Sequence, residues 1–162
     1  MSTSVSPTVS VLQHMLPAKV RFADHAVRPL EFNGVVPLSR LPRLRELMQT
    51  DAIDTLPPVA AQLRTEHAKD GGVQLSGRVQ CCLSLRCERC LQPLDWPFDL
   101  ELALRLVRSE ADERRLLDHC EPLLLDDDWL PLHRLIEDEI LLALPMAPAH
   151  SAESCPPLGI NR

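Results

Sequence analysis

Two cysteines in the stretch SLRCERCLQP, Cys87 and Cys90, have the type and spacing best suited to chemistry. Thiolates in a C-x-x-C spacing can share one Zn²⁺, because a tight turn brings both sulfurs onto a tetrahedral ion. A closed structural site needs two more ligands, and the C-terminal segment offers His150 and Cys155, with four residues between them. The sequence therefore predicts a zinc site formed by Cys87, Cys90, His150 and Cys155, provided that the fold carries residues 150–155 back to the cysteine pair.

Other uses of the cysteine pair stay open at this stage. The thiols can simply be free, with His150 exposed. A thioredoxin-like redox pair is less favoured, because that motif belongs at a helix N-terminus, where the helix dipole lowers the thiol pKa. A zinc-activated hydrolase would keep one coordination position open for water, whereas four candidate ligands are present here. A zinc- or thiol-dependent enzyme, either a redox protein or a hydrolase, is the alternative to a structural site.

The cysteine pair lies between two segments that show the alternation of β-strands. Apolar residues recur at nearly every second position in 59–65, 73–85 and 94–106, which is typical of a sheet with one buried face. The sequence KDGG at 69–72 supplies a turn between the first two strands, since glycine tolerates positive φ. These segments predict an antiparallel meander with the cysteine pair at the tip of its second hairpin.

Two helices are expected to accompany this sheet. Residues 38–48 place leucines at helical spacing, with Pro42 in the first turn, where its missing N–H costs little. Residues 131–144 carry an apolar stripe at helical spacing, with Glu137 and Asp138 expected on the opposite side. The predicted fold class is α+β: a twisted antiparallel sheet, which can curl toward a barrel, packed with a C-terminal helix and a short N-terminal helix.

The length of 162 residues suffices for one domain that buries a core without disulfides. We expect a flexible arm at 1–14, a single α+β domain at 15–155 and a short tail at 156–162. No apolar run reaches the ~18 residues of a membrane span, and the first residues show no charged segment ahead of an apolar stretch. A cytoplasmic location with reduced thiols is therefore expected.

Charge is distributed unevenly along the chain. Residues 1–90 carry 11 Lys and Arg against 8 Asp and Glu, a balance of +3, whereas residues 91–162 carry 6 against 15, a balance of −9. Arginine is suited to forked contacts with phosphate. The chain has no Tyr, three Phe and two Trp, so base-by-base stacking is not expected. One half of the molecule can thus face the phosphates of structured RNA, and the other half a basic protein.

The stretch IEDEILLALPMAPAH and the following Cys155, taken with CERC on a hairpin and a long leucine-alternating strand, resemble the YceD family of large ribosomal RNA subunit accumulation proteins. The resemblance implies a bacterial cytoplasmic assembly factor that supports synthesis, processing or stability of the large-subunit ribosomal RNA without catalysing a reaction. The matching positions are Cys87, Cys90, Glu137, Asp138, Glu139, Pro145, Pro148, His150 and Cys155.

Charge and resemblance together give the expected partners: a ribosomal RNA precursor or a large-subunit ribosomal protein, with neither a membrane nor a small-molecule substrate. The candidate RNA-binding residues are Arg40, Arg43, Arg45, Arg86 and Arg89. The candidate protein-binding residues are Glu137 and Asp138.

Overall fold

The computed structural model describes residues 14–23, 28–48 and 53–156. The predicted N-terminal arm, except His14, and the predicted C-terminal tail, except Pro156, lie outside these residues. In the described part of the chain, no helix is long and apolar enough to cross a bilayer.

The main sheet has five strands in the order β2-β3-β4-β5-β6, and it gives the molecule its α+β class. Their bounds are Glu31–Val36 (β2), Val59–His67 (β3), Val73–Arg86 (β4), Pro93–Val107 (β5) and Glu121–Leu124 (β6). Strands β3 to β5 form the predicted antiparallel meander. Strand β2, which was not predicted, pairs antiparallel with β3, whereas β6 is parallel to β5. Two further short strands, Val20–Arg21 (β1) and Trp129–Leu130 (β7), pair with each other. Because β2 and β6 remain at opposite edges, the sheet is open and does not curl into a barrel.

The hairpin of β4 and β5 is the longest feature of the sheet. Its antiparallel register runs from Val73 opposite Leu106 to Arg86 opposite Pro93. Alternate residues along both strands are buried, as the period of two requires. The tip of this hairpin, at 87–92, therefore lies at the end of a two-stranded extension of the sheet.

The helices are short except for the last. A 3-10 turn at Leu38–Arg40 leads into helix α1 at Pro42–Leu47, which has Pro42 in its first turn as predicted. A second 3-10 turn spans Ile53–Thr55, and helix α2 spans Glu110–Leu116. Helix α3 spans Leu132–Ala143 and buries Leu132, Leu135, Ile136 and Ile140 in the same apolar core as the sheet.

Glu137 of α3 is buried, so the expectation that it lies on the exposed side of the helix is wrong. Its side chain is 5% exposed. One carboxylate oxygen accepts hydrogen bonds from the backbone N–H groups of Arg43 at 2.7 Å and Leu44 at 3.1 Å. These amides belong to the first turn of α1, where helix N–H groups have no intrahelical partner, and the N-cap residue Leu41 has no side chain that could accept them. The carboxylate of Glu137, which belongs to α3, therefore caps the N-terminus of α1.

Candidate metal centre and charged surfaces

A tight turn between β4 and β5 positions the two cysteines of the C-x-x-C pair. The backbone N–H of Leu91 donates to Cys87 O at 2.9 Å, and that of Cys87 donates to Gln92 O at 3.0 Å. These bonds close the turn and direct both side chains to the same side. Cys87 is fully buried and Cys90 is 6% exposed, so both thiols face the interior of the hairpin tip.

The segment after α3 returns to this turn. The backbone N–H of Glu88 donates to Pro148 O at 2.8 Å, and that of His150 donates to Cys87 Sγ at 3.4 Å. A further turn is closed by the backbone N–H of Cys155, which donates to Ser151 O at 3.0 Å. This turn brings Cys155 next to Cys87 and Cys90. The structure thus brings together the four residues that the sequence proposed as ligands.

The donor atoms of Cys87, Cys90, His150 and Cys155 all lie within 4.8 Å of one another. Cys87 Sγ is 3.9 Å from Cys155 Sγ, and Cys90 Sγ is 3.3 Å from His150 Nδ1. On a tetrahedral zinc ion, the usual bond lengths place two sulfurs about 3.8 Å apart and a sulfur and a nitrogen about 3.6 Å apart. The four donors are therefore already spaced as ligands of one tetrahedral ion.

His150 is also oriented as a metal ligand. Its Nε2 lies 3.1 Å from the backbone carbonyl oxygen of Pro93. Because a carbonyl oxygen only accepts hydrogen bonds, Nε2 carries the proton, and the lone pair of Nδ1 faces Cys90 Sγ. A second hydrogen bond of this kind fixes the ring of most metal-binding histidines in proteins.

The electrostatics of Cys87 and Cys155 are compatible with a bound cation. Burial acts to raise the pKa of Cys87, but backbone N–H groups of Cys90, His150 and Arg89 outweigh it and lower that pKa to about 5. Burial and the neighbouring thiols raise the pKa of Cys155 to about 11. The charge of a Cys87 thiolate thus disfavours ionisation of Cys155, and a cation between the two sulfurs would stabilise both thiolates.

The other cysteines lie outside this cluster. Burial raises the pKa of Cys81 to about 12, which is typical of a thiol packed in a core. Cys82 is half-buried and Cys120 is exposed. The choice of ligands made from spacing alone therefore agrees with the geometry.

Four of the five candidate RNA-binding arginines have guanidinium groups with no partner among the described residues. Arg40, Arg45, Arg86 and Arg89 are exposed and make no side-chain hydrogen bond or ion pair there. Arg43, by contrast, contacts Glu137 Oε2 at 2.9 Å and Asp138 Oδ1 at 2.6 Å. Eight further described arginines also hold ion pairs, namely Arg21, Arg64, Arg78, Arg105, Arg108, Arg114, Arg115 and Arg134. The four unpaired guanidinium groups keep all their donors available.

An acidic cleft lies between α3 and β6. It has a volume of about 430 Å³, and its lining includes the carboxylates of Glu121, Asp138 and Glu139 beside several leucines. Burial, followed by the charges of Glu121 and Asp138, raises the pKa of Glu139. Sequence reasoning missed Glu121, because only the parallel pairing of β6 with β5 brings it next to the helix.

Comparison with known proteins gives one consistent result. The model of a family described as "Large ribosomal RNA subunit accumulation protein YceD" matches residues 75–159, slightly more than half of the chain. A protein of the same name from Haemophilus influenzae is 28% identical over 141 residues, which cover 86% of this chain and 79% of that protein. No solved structure matches the chain.

Proposed function

Since the chain belongs to the YceD family, we propose that it is a non-catalytic factor of ribosome biogenesis that supports synthesis, processing or stability of the large-subunit ribosomal RNA. The family name specifies a process, the accumulation of that RNA. The observation that supports RNA binding is a set of exposed arginines whose guanidinium groups have no hydrogen-bond or ion-pair partner in the described chain.

The proposed RNA contacts are made by Arg40, Arg45, Arg86 and Arg89 on phosphate oxygens. A guanidinium that is free in the isolated protein gives up no internal ion pair when it binds a phosphate, and its planar fork suits bidentate binding. Arg43 contributes less in this proposal, because its Nε and Nη1 already contact Glu137 and Asp138.

The proposed metal is one Zn²⁺ held by Cys87, Cys90, His150 and Cys155. Its role is structural: it would fasten the segment after α3 to the hairpin tip that carries Arg86 and Arg89. All four positions of a tetrahedral ion are supplied by protein atoms, which leaves none for a substrate water. This closed donor set favours a structural site over the alternative, a zinc- or thiol-dependent enzyme.

The proposed protein contact uses the acidic side of the molecule. Asp138, with 39% of its side chain exposed, and its neighbours Glu139 and Glu121 would face a basic ribosomal protein. Glu137 would support this surface indirectly, since its own carboxylate caps α1. We place these interactions in the cytoplasm, where ribosomes assemble and thiols stay reduced.

The test is recovery of partners from a cell lysate with the tagged full chain, at low and high salt and with or without nuclease. We expect the large-subunit ribosomal RNA to be recovered at low salt. A variant with Arg86→Ala and Arg89→Ala should recover little of that RNA. The matched control changes Arg114 and Arg115 to alanine, which removes the same charge from arginines that already hold ion pairs.

In purified form, the slope of log affinity against log salt concentration should fall by about one for each phosphate that the variant no longer binds. Recovery free of both RNA and ribosomal proteins would contradict the proposal. An equal decrease in the control variant would show a response to overall charge and would contradict the assignment of these arginines.

A further inference from the structure

Leu91, the residue directly after the C-x-x-C pair, has a backbone conformation that leucine rarely adopts. Its φ is 62°, and it is the one described non-glycine residue with a positive φ. The left-handed region is open to glycine and tolerated by asparagine, whereas the Cβ of other residues crowds the backbone there. The turn requires this conformation, because the N–H of Leu91 closes it by donating to Cys87 O.

The leucine side chain gains little inside the protein from this position. It is 52% exposed, and it is not among the residues that pack around Cys87, Cys90 and Leu94. A glycine would serve the turn without strain. An unfavourable backbone conformation together with an exposed apolar side chain indicates a role outside the isolated chain.

The surroundings of Leu91 indicate the chemistry of its partner. Arg86, the last residue of β4, and Arg89, in the hairpin tip, are both exposed and both without a side-chain partner in the described part of the chain. Glu88 is the single acid between them, so the side chains of Arg86, Glu88 and Arg89 sum to a formal charge of +1. An exposed leucine that follows two unpaired arginines suits a partner that presents phosphates beside an apolar face, and an unstacked nucleotide in RNA has both.

We propose that Leu91 is a contact residue of the hairpin tip that packs against an unstacked base of RNA while Arg86 and Arg89 bind the flanking phosphates. This inference rests on the proposed RNA binding and names a contact within it. In duplex DNA, apolar side chains that include leucine insert between bases, so a leucine can pack against the face of a base.

The experiment measures binding of purified protein to a transcript of the large-subunit ribosomal RNA, with Leu91→Gly, Leu91→Asn and Leu91→Met compared with the unaltered chain. We expect glycine and asparagine to weaken binding about tenfold, an effect comparable with one stacked base. Methionine keeps an apolar side chain and should bind within about twofold, which a contact of this type predicts. The salt dependence should stay the same in all variants, because no charge is removed.

Stability separates a contact role from a structural one. The melting temperature Tm of the Leu91→Gly variant should be equal to or above that of the unaltered chain, since strain is relieved, and its zinc content should not change. Leu117→Gln is the control for removal of an exposed leucine elsewhere, at a residue that is 60% exposed, and should bind normally.

Several results would overturn the inference. If Leu91→Gly binds RNA normally while Arg86→Ala with Arg89→Ala weakens binding, the proposed function stands and the role of Leu91 is refuted. A lower Tm in Leu91→Gly would make the residue structural. Release of a bound ribosomal protein with RNA binding intact would make the partner a protein. No RNA binding by the unaltered chain would refute the proposed function itself.

Discussion

Two junctions tie the C-terminal part of the chain to earlier segments, and they do so with different chemistry. At the hairpin tip, three cysteines and a histidine converge on one point. At the start of α1, one buried carboxylate of α3 accepts two backbone N–H groups and an arginine. A bound cation would neutralise thiolates at the first junction, whereas hydrogen bonds and an ion pair among protein atoms satisfy the second. We therefore expect removal of metal to affect the first junction and not the second.

Removal of a metal ligand should have the largest effect. Cys90→Ala should abolish binding of one equivalent of zinc and lower the stability by about 3 kcal/mol or more, which is roughly 10 °C in Tm for a chain of this size. Elemental analysis and thermal unfolding measure both quantities. Cys120→Ala is the matched control, because Cys120 is exposed and distant from the cluster. If the unaltered protein contains no zinc and has the same Tm as the Cys90→Ala variant, the first junction does not depend on a metal ion.

Removal of the carboxylate at the other junction should have the next largest effect. Glu137→Ala leaves two amides of α1 without an acceptor and should lower the free energy of unfolding by about 2–4 kcal/mol. Urea unfolding measures this decrease. Asp138→Ala is the control beside it and should cost at most about 0.5 kcal/mol, because Asp138 is partly exposed. Equal decreases in the free energy of unfolding of the two variants would show that the hydrogen bonds from Glu137 to the α1 amides add no stability of their own.

The smallest expected effect is the coupling between the two junctions. Among the described residues, no hydrogen bond or ion pair joins the two junctions, so the destabilisation by Glu137→Ala should be the same with and without a zinc chelator, within about 0.5 kcal/mol. Unfolding of the four combinations of variant and chelator measures the coupling. A coupling energy well above that limit would mean that α3 and the segment after it unfold as one cooperative unit, which would contradict the independence of the two junctions.

The sequence predicted the first junction and could not predict the second. Cys87, Cys90, His150 and Cys155 have few alternative uses, and their spacing indicates a site before the fold is known. Alternation likewise predicted the long hairpin, and helical spacing predicted α3. Glu137 carries no such signal, because a carboxylate on a helix is ordinarily solvated. The burial of Glu137 depends on the position of α1 in the folded chain, and the whole fold determines that position.

The edge strand β6 shows the same limit. Its four residues at Glu121–Leu124 follow the charged helix α2. Parallel pairing with β5 joins segments whose order the residue pattern does not specify. The acidic cleft arises from that pairing, so Glu121 could not be assigned to it in advance.

The central claim, that the hairpin tip and the segment after α3 share one metal ion, is tested most directly by X-ray absorption at the zinc edge of the purified full chain. The account predicts three sulfur neighbours at about 2.3 Å and one nitrogen at about 2.0 Å. In a His150→Ala variant, the nitrogen neighbour should be replaced and the three sulfurs retained. A first shell of oxygen atoms, or a shell that does not change in that variant, would contradict it.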